Sequence, residues 1–523
     1  MSTVNPIDAH WQQAQSMFNS NQLAGARSQA EAVVAADALH SGANLMLANL
    51  DSSEGRHREA TRHALSAAQK MGRQSLQHVA GVALKLMTLG EYEAAARLIR
   101  KIDPARVPAP SSLAEFSQQL SLLEQHDDAL RYLEAAIRLG LDGDWVHYIH
   151  GNYLKFLGRM DPALAAYERS LQLNPNYPFA HYAIATTAKG GDPGARIDRI
   201  RGAIAKLGTG HRDAPYLHYA LFHELDAVDD TAAAWTALED GFRARRFQVQ
   251  HDAAEETEVF NELISQTPSG FAEGERIEGP TPIFILGMPR TGTTLMERIL
   301  GGHPGIALCG ELNDFRMQYK WASDYYCLGF FDRRAVRSIG AVDYAEIGRR
   351  YLQHVAWHAP GADAFTDKNP GNFMMAGLIL RAIPHAKILH LRREPMDACF
   401  SNLKELFGGN AHPYSYSLGD LATHHRNYSR LMSHWHEVAP GRILDVHYEK
   451  VVSDPAGETQ RVMSYLGMAY DEKQIRVEES TAAVSTASSA QVRQPIHNRN
   501  VGGWKRYAAQ LEPLRALLED DPG

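Results

Sequence analysis

The segment Pro282-Ile283-Phe284-Ile285-Leu286-Gly287-Met288-Pro289-Arg290-Thr291-Gly292-Thr293-Thr294-Leu295 constrains this chain more than any other. A buried apolar strand runs into a turn rich in glycine and threonine, and the turn opens a helix. That order gathers unpaired backbone N–H groups at the positive end of a helix dipole, and Gly287 and Gly292 let the backbone wrap an anion. The expected element is a phosphate cradle. Its glycine spacing fits the first part of G-x-x-x-x-G-K-[ST], but Thr293 occupies the lysine position. Without that lysine an ATPase or kinase loses its main cation on the β- and γ-phosphates, whereas Arg290 places a cation earlier in the loop.

Lys387-Ile388-Leu389-His390-Leu391 reads as another buried strand, followed by Arg392-Arg393-Glu394-Pro395. Pro395 suits the first turn of a helix expected to run to about Phe407. Residues Pro289 to Leu295 resemble the 5′-phosphosulfate loop of sulfotransferases, P-[RK]-[ST]-G-T-[ST]-[LW]. In that family an arginine at a strand end and a serine eight residues later bind the 3′-phosphate of 3′-phosphoadenosine 5′-phosphosulfate (PAPS), and Arg393 and Ser401 have that spacing.

The resemblance narrows toward tyrosylprotein sulfotransferases and their bacterial relatives with tetratricopeptide repeats. His303-Pro304, Cys309-Gly310-Glu311, Asp367-Lys368-Asn369-Pro370, Val446-His447-Tyr448-Glu449, which resembles a family strand whose tyrosine lies near the nucleotide, and Ser488-Ser489-Ala490-Gln491-Val492-Arg493-Gln494-Pro495 follow the loop in family order. The similarity covers about residues 280 to 515. It implies a P-loop sulfotransferase fold, a parallel sheet flanked by helices. It also implies that Arg290, Thr291, Gly292, Thr293, Thr294 and Leu295, with Arg393, Ser401, Tyr448 and Ser489, hold PAPS. Lys368 and Arg290 would offset charge on the leaving and transferring groups, Ser488 would donate a hydroxyl from the late loop, and Glu311 would be the general base. The sulfuryl donor would leave as adenosine 3′,5′-bisphosphate by direct in-line transfer, with no metal expected.

Departures from that pattern bear on the acceptor. Glu311-Leu312 replaces two successive glutamates, and Asn313 and Asp314 replace arginines that help to hold acidic peptides, with Arg316 a loose substitute. Gly503 precedes Trp504 where a lysine is expected, leaving Arg499 or Lys505 to take its place. A protein tyrosine leads as acceptor, with a glycan or small hydroxylated metabolite second. A P-loop phosphotransferase and a non-catalytic repeat adaptor are the readings from other classes.

Upstream, the sequence repeats at about 34 residues, the tetratricopeptide period of paired antiparallel helices. The best copy spans Asp144 to Tyr177, with Gly151, Ala163, Tyr167 and Pro175 at the small, small, aromatic and proline positions. Ala129 and Ala95 precede Ala163 in register, Ala60 and Ala26 continue the series, and Ala185 begins another copy. A last pair, Ala214 to Arg245, is expected to cap the array, with Ala220 and Ala232 at its small positions and Tyr216, Phe222, Leu225, Trp235 and Leu238 in its core. The expected organisation is an all-α tetratricopeptide solenoid at 1–246, a junction at 247–280, the sulfotransferase domain at 281–515 and a tail at 516–523. A concave solenoid suits recruitment of a protein or peptide acceptor, and a homo-oligomer is compatible with it.

Composition bounds the alternatives. With 523 residues, 44% hydrophobic and 22% charged, the chain has an ordinary globular balance. Its formal net charge of −8 argues against coating nucleic acid, which calls for a basic excess. Cys309, Cys327 and Cys399 are scattered without C-x-x-C spacing, which fits a reducing compartment. The start lacks a basic, apolar leader and no run approaches transmembrane length, so a cytoplasmic protein without an integral membrane segment is expected. His424-His425 and His434-x-His436 read as helix-surface and packing residues, because no carboxylate or cysteine completes a ligand set.

Overall fold

The computed structural model of the protein describes residues 5–71, 75–188, 190–208, 210–267, 276–327, 329–480, 482–486, 489 and 491–519. Its contacts divide the chain into two compact units, Met1–Leu141 with Asn313–Trp357, and Asp142–Leu312 with His358–Gly523.

The first unit is helical. Hairpins such as Ser41–Ser53 with His57–Gln69 and Pro110–Leu122 with His126–Arg138 repeat along it. The periodic alanines explain the close approach of the helices: Ala26, Ala60, Ala95 and Ala129 are all fully buried at the fourth position of the second helix in each pair. Residues 313–357, far away in sequence, pack onto this array. The Arg58 backbone N–H donates to Asp324 Oδ1 (2.8 Å), and its guanidinium donates to the Trp321 and Ala322 carbonyls (2.9 and 2.6 Å). The Arg350 guanidinium lies 3.7 Å above the Trp321 ring.

The second unit begins with Asp144–Phe156 and Met160–Leu173, the hairpin of the best repeat copy. Ala163 and Ala220 are fully buried as the period requires. The expectation for Ala232 fails: it is exposed, and Ala234 is the small residue buried at the fourth position of Thr231–Arg246. Asp230 accepts from the Ala233 N–H and sets the helix start so that Ala234, not Ala232, falls in the fourth position. Phe222, Leu225 and Leu238 are buried, while Tyr216 and Trp235 are partly so. Between this array and the sheet lies a helix not foreseen in the junction, Ala253–Gln266, which packs on the helix Leu418–Val438.

Among the described residues, five parallel strands form the sheet: β1 (Thr281–Gly287), β2 (Ile306–Leu308), β3 (Ala364–Asp367), β4 (Lys387–Arg392) and β5 (Ile443–His447), in the order β2-β3-β1-β4-β5. β1 is central and buried along six of its seven residues, which accounts for its unbroken apolar run. Strand order reverses at β1, so the crevice at the carboxyl ends of β1, β3 and β4 is where such sheets bind ligands. Leu389 and Leu391 of β4 enter a core with Ile283, Ile285, Met296, Ile299 and Val446. His390 alternates to the other face and meets Tyr428.

Two boundaries differ from expectation. The helix after β4 is Pro395–Leu403 and stops short of Phe407, because Leu406 and Phe407 give their N–H groups to the Tyr182 and Tyr416 hydroxyls instead of continuing the helical ladder. Tyr448 does not belong to a strand: β5 ends at His447 and Tyr448 opens the helix Tyr448–Ser453.

Candidate active site

The cradle is built where β1 turns into the helix Thr293–Leu300. Gly292 has φ +100°, and a Cβ there would lie 2.7 Å from Tyr448 Cδ2, so only glycine lets the loop pass the tyrosine ring. Arg290 also adopts positive φ (+68°), a conformation costing a non-glycine residue about 1–2 kcal/mol. Surrounding bonds hold the loop there. Thr291 Oγ1 donates to the Met288 carbonyl (2.8 Å), and buried Asn402 Nδ2 donates to the Pro289 carbonyl (2.8 Å).

The two expected phosphate elements meet. Arg393 Nη1 donates to the Arg290 carbonyl (3.1 Å), Nη2 donates to the Asn500 carbonyl, and the guanidinium lies 4.7 Å over the Tyr448 ring. Burial lowers the Arg393 pKa, an effect opposed by Tyr448 and Asp397. Ser401 is buried on the helix Pro395–Leu403. Arg290 turns its guanidinium toward Glu405 (3.7 Å), which in turn accepts from the Tyr182 hydroxyl (3.1 Å). The helix Pro178–Thr187 of the repeat array thus reaches the cation of the cradle.

On the other side of β1, Glu311 and Lys368 form a pair. Lys368 Nζ donates to Glu311 Oε1 at 2.6 Å; the lysine side chain is fully buried, while the glutamate is 43% exposed. Lys368 is therefore not a surface charge. Lys368 follows β3, and its backbone N–H donates to the Gly310 carbonyl (2.9 Å), which ties the segment after β3 to the one after β2 that carries Glu311. Behind it stands Glu297, buried in the cradle helix: its Oε1 accepts from the Gly310 N–H (3.1 Å) and Thr366 Oγ1 (2.9 Å). Burial raises its pKa, with Lys368 and these hydrogen bonds opposing. Glu297 was missed because a glutamate in a helix ordinarily faces solvent; its place four residues after Thr293, on the inward face, was the available signal.

The late segment is tied to both the cradle helix and the repeats. Arg298, almost fully buried, donates to the Val477, Ser480 and Ala482 carbonyls, and Thr294 Oγ1 lies 3.2 Å from Thr486 Oγ1. The Phe156 carbonyl, at the end of a repeat helix, accepts from the Val484 N–H (2.9 Å) and Arg493 Nη2 (2.7 Å). A Cβ on Gly158 would lie 2.5 Å from Arg493 Nη1. Ser489 is buried, and Ser488 lies outside the described residues. Buried Asp397 accepts from the Gly502 N–H (2.6 Å) and Trp504 N–H (3.3 Å), orienting the segment that presents Asn500 to Arg393. Arg499 and Lys505 are exposed. Arg316 lies in the first unit, bonded to Asn313 Oδ1 and the Gly329 carbonyl.

The histidines separate. His424 pairs with Glu256 (3.0 Å) and stacks on Tyr414, and His434 meets Thr267 (2.6 Å), both as packing groups. His436 instead approaches Asp445 Oδ1 (2.9 Å), which also meets His390 Nδ1 (2.7 Å). Burial alone would raise the Asp445 pKa, but the two imidazoles outweigh it and hold the carboxyl below its usual range.

Residues 282–472 match the sulfotransferase family. An uncharacterized protein of Aquifex aeolicus is 29% identical over 53% of this chain and 36% of its own length, so the chain spans about a third of that relative. A putative protein-tyrosine sulfotransferase of Caenorhabditis briggsae is 23% identical over 42% of this chain and 80% of its own length. Protein-tyrosine sulfotransferase 2 of Gallus gallus is 23% identical over 50% of this chain and 75% of its own. Among solved structures, the sulfotransferase domain of the Synechococcus PCC 7002 olefin synthase aligns with TM-score 0.33 and 21% identity, covering 48% of this chain and 97% of that domain. The tetratricopeptide protein YrrB aligns with TM-score 0.27 and 19% identity over 35% of this chain and 92% of its own.

Proposed function

We propose that this chain, whose residues 282–472 form a sulfotransferase-family domain, transfers a sulfuryl group from PAPS to an acceptor hydroxyl, with a tyrosine on a protein or peptide as the leading acceptor. The supporting observation is the convergence of the glycine-threonine cradle, Arg393 and the Glu311–Lys368 pair at the carboxyl ends of neighbouring strands. PAPS supplies an activated sulfuryl group on a phosphate leaving group. The backbone N–H groups of Thr291 to Thr294 and the Arg290 cation would receive the 5′ end, and Arg393 with Ser401 the 3′-phosphate. Tyr448 fixes the Arg393 plane, and Leu295 and Ser489 complete the assigned surroundings.

Glu311, exposed at its tip, accepts the acceptor's proton while Lys368 neutralises the bridging oxygen from its buried position. The acceptor oxygen bonds to sulfur as the sulfur–oxygen bond to the phosphate breaks, without a covalent enzyme intermediate. The residues assigned to the donor are fixed cations and amides, so a metal is not required for transfer.

The repeats, in this reading, recruit the protein acceptor, and a homo-oligomer is compatible with that role. No described helix is long and apolar enough to cross a membrane, and a cytoplasmic setting fits this reading.

A labelled-sulfate screen over tyrosine peptides, glycans and small phenols tests the proposal. Label on tyrosine peptides in the presence of a chelator is the expected result. Label confined to glycans or phenols favours the second acceptor class. Magnesium-dependent ATP turnover would replace the reading with a phosphotransferase, and absence of both transfer and nucleotide binding with an adaptor.

A further inference from the structure

His390 and Asp445 are register partners on the adjacent parallel strands β4 and β5, and His436 descends on them from the last turn of the helix Leu418–Val438. Their donor atoms all lie within 4.8 Å of one another. Both imidazole nitrogens converge on the same carboxylate oxygen: His390 Nδ1 at 2.7 Å and His436 Nε2 at 2.9 Å from Asp445 Oδ1. The other oxygen, Oδ2, is held by Arg392 Nη1 at 3.0 Å, which fixes the carboxylate as a one-atom donor toward the histidines. The cluster opens on a cavity of about 310 Å³, also lined by His425, Ser429, Ser433 and His447.

We propose that His390 Nδ1, His436 Nε2 and Asp445 Oδ1 form a binding site for a borderline divalent transition-metal ion, with the cavity supplying the open coordination position. The donor set is two imidazoles and one carboxylate, which suits zinc and its first-row neighbours rather than magnesium. Zinc bonds of about 2.0–2.2 Å set tetrahedral ligand atoms roughly 3.4 Å apart, so each nitrogen moves out by about half an ångström from its present contact with Asp445 Oδ1 at 2.7 or 2.9 Å.

Two protons must leave the ligand nitrogens, and each has a place to go. On His390 the proton moves to Nε2, where the Tyr428 hydroxyl already sits and becomes the acceptor. This is the outer partner that metal-bound histidines use to fix their tautomer. His436, 35% exposed, carries its proton on Nδ1 instead and can turn the small amount that coordination requires. Two rigid donors on neighbouring strands and one adjustable donor on a helix end make a site that is shaped before the ion arrives. It lies on β4 and β5, away from the Glu311–Lys368 pair after β2 and β3, while its cavity is also lined by Thr291 and Arg393 of the cradle; the donor set is complete without those two residues, so the site does not rest on the proposed function.

The test uses the full chain, stripped with a chelator and titrated with zinc chloride by calorimetry and with cobalt(II) chloride by absorption. One equivalent of zinc, and the intense visible bands of four- or five-coordinate cobalt, are expected. His436→Ala should lose that equivalent or weaken it at least 100-fold while the circular dichroism is unchanged. Tyr428→Phe should weaken it about 10–100-fold as loss of an outer partner. Zinc bound with equal affinity and stoichiometry in His436→Ala overturns the site, because the ion then sits on other histidines. Cobalt giving only the weak six-coordinate spectrum, or no zinc bound, overturns it as well.

Discussion

Lys368 Nζ lies 2.6 Å from Glu311 Oε1, joining a fully buried ammonium to a carboxylate that reaches solvent. The buried partner has little conformational freedom, so it aims the exposed one. Glu311→Gln keeps the shape and an oxygen for Lys368 but removes the base. Turnover should fall by about 10²–10⁴-fold with nucleotide affinity unchanged, read by steady-state kinetics beside calorimetry. Full activity in that variant would return attention to His447 or Glu405.

Arg393 joins the cradle to the β4 end through the Arg290 carbonyl. A charge-assisted bond to phosphate is worth about 1.5–3 kcal/mol, so Arg393→Ala should weaken binding of adenosine 3′,5′-bisphosphate by that amount. Unchanged affinity in a folded variant would remove Arg393 from the nucleotide site.

Arg493 carries the link between the repeats and the late segment. Arg493→Ala withdraws a charged donor from both the Phe156 and the Ala482 carbonyls, while the Val484 N–H bond to Phe156 stays. Nucleotide affinity should drop several-fold, and Arg493→Lys should restore part of it. Gly158→Val, strained at φ +80° and directed at the same guanidinium, should mimic Arg493→Ala. Equal affinities across the three variants would mean that this anchor is only structural.

Asp314 and Glu91 make the first unit pH-sensitive. Burial first, with Glu91 adding to it, pushes the Asp314 carboxyl up to about 8; burial raises Glu91 to about 7, opposed by Arg350. A carboxyl with a folded pKa above its unfolded value binds more protons when folded, so its stabilisation is full below the unfolded pKa and is lost as pH rises through the folded one. Thermal stability of this unit should therefore decline from about pH 4 toward pH 8. Asp314→Asn, uncharged throughout, should flatten that decline in a melting series; an unaltered slope would assign it to other groups.

What was legible in the sequence came from local rules. The apolar run before Gly287 marked a strand buried on both sides, the glycine-threonine turn marked a helix N-terminus, and the 34-residue alanine series marked helix contacts that admit no larger side chain. Each depends on residues within a few turns of one another. Even there the capping of Thr231–Arg246 by Asp230 moved the small position from Ala232 to Ala234, because a single side chain decides where a helix starts.

Tertiary structure alone decided the partnerships. Glu311 and Lys368 are 57 residues apart, Arg393 and the Arg290 carbonyl 103, and Phe156 and Arg493 337. The same holds for His390, which meets Asp445, 55 residues on, only through the β4–β5 register. Sequence by itself determined which elements could form and which groups could carry charge. Their pairing followed from strand order and helix docking, because burying a charged group demands a partner, and that partner is supplied by whichever segment the packed core brings alongside.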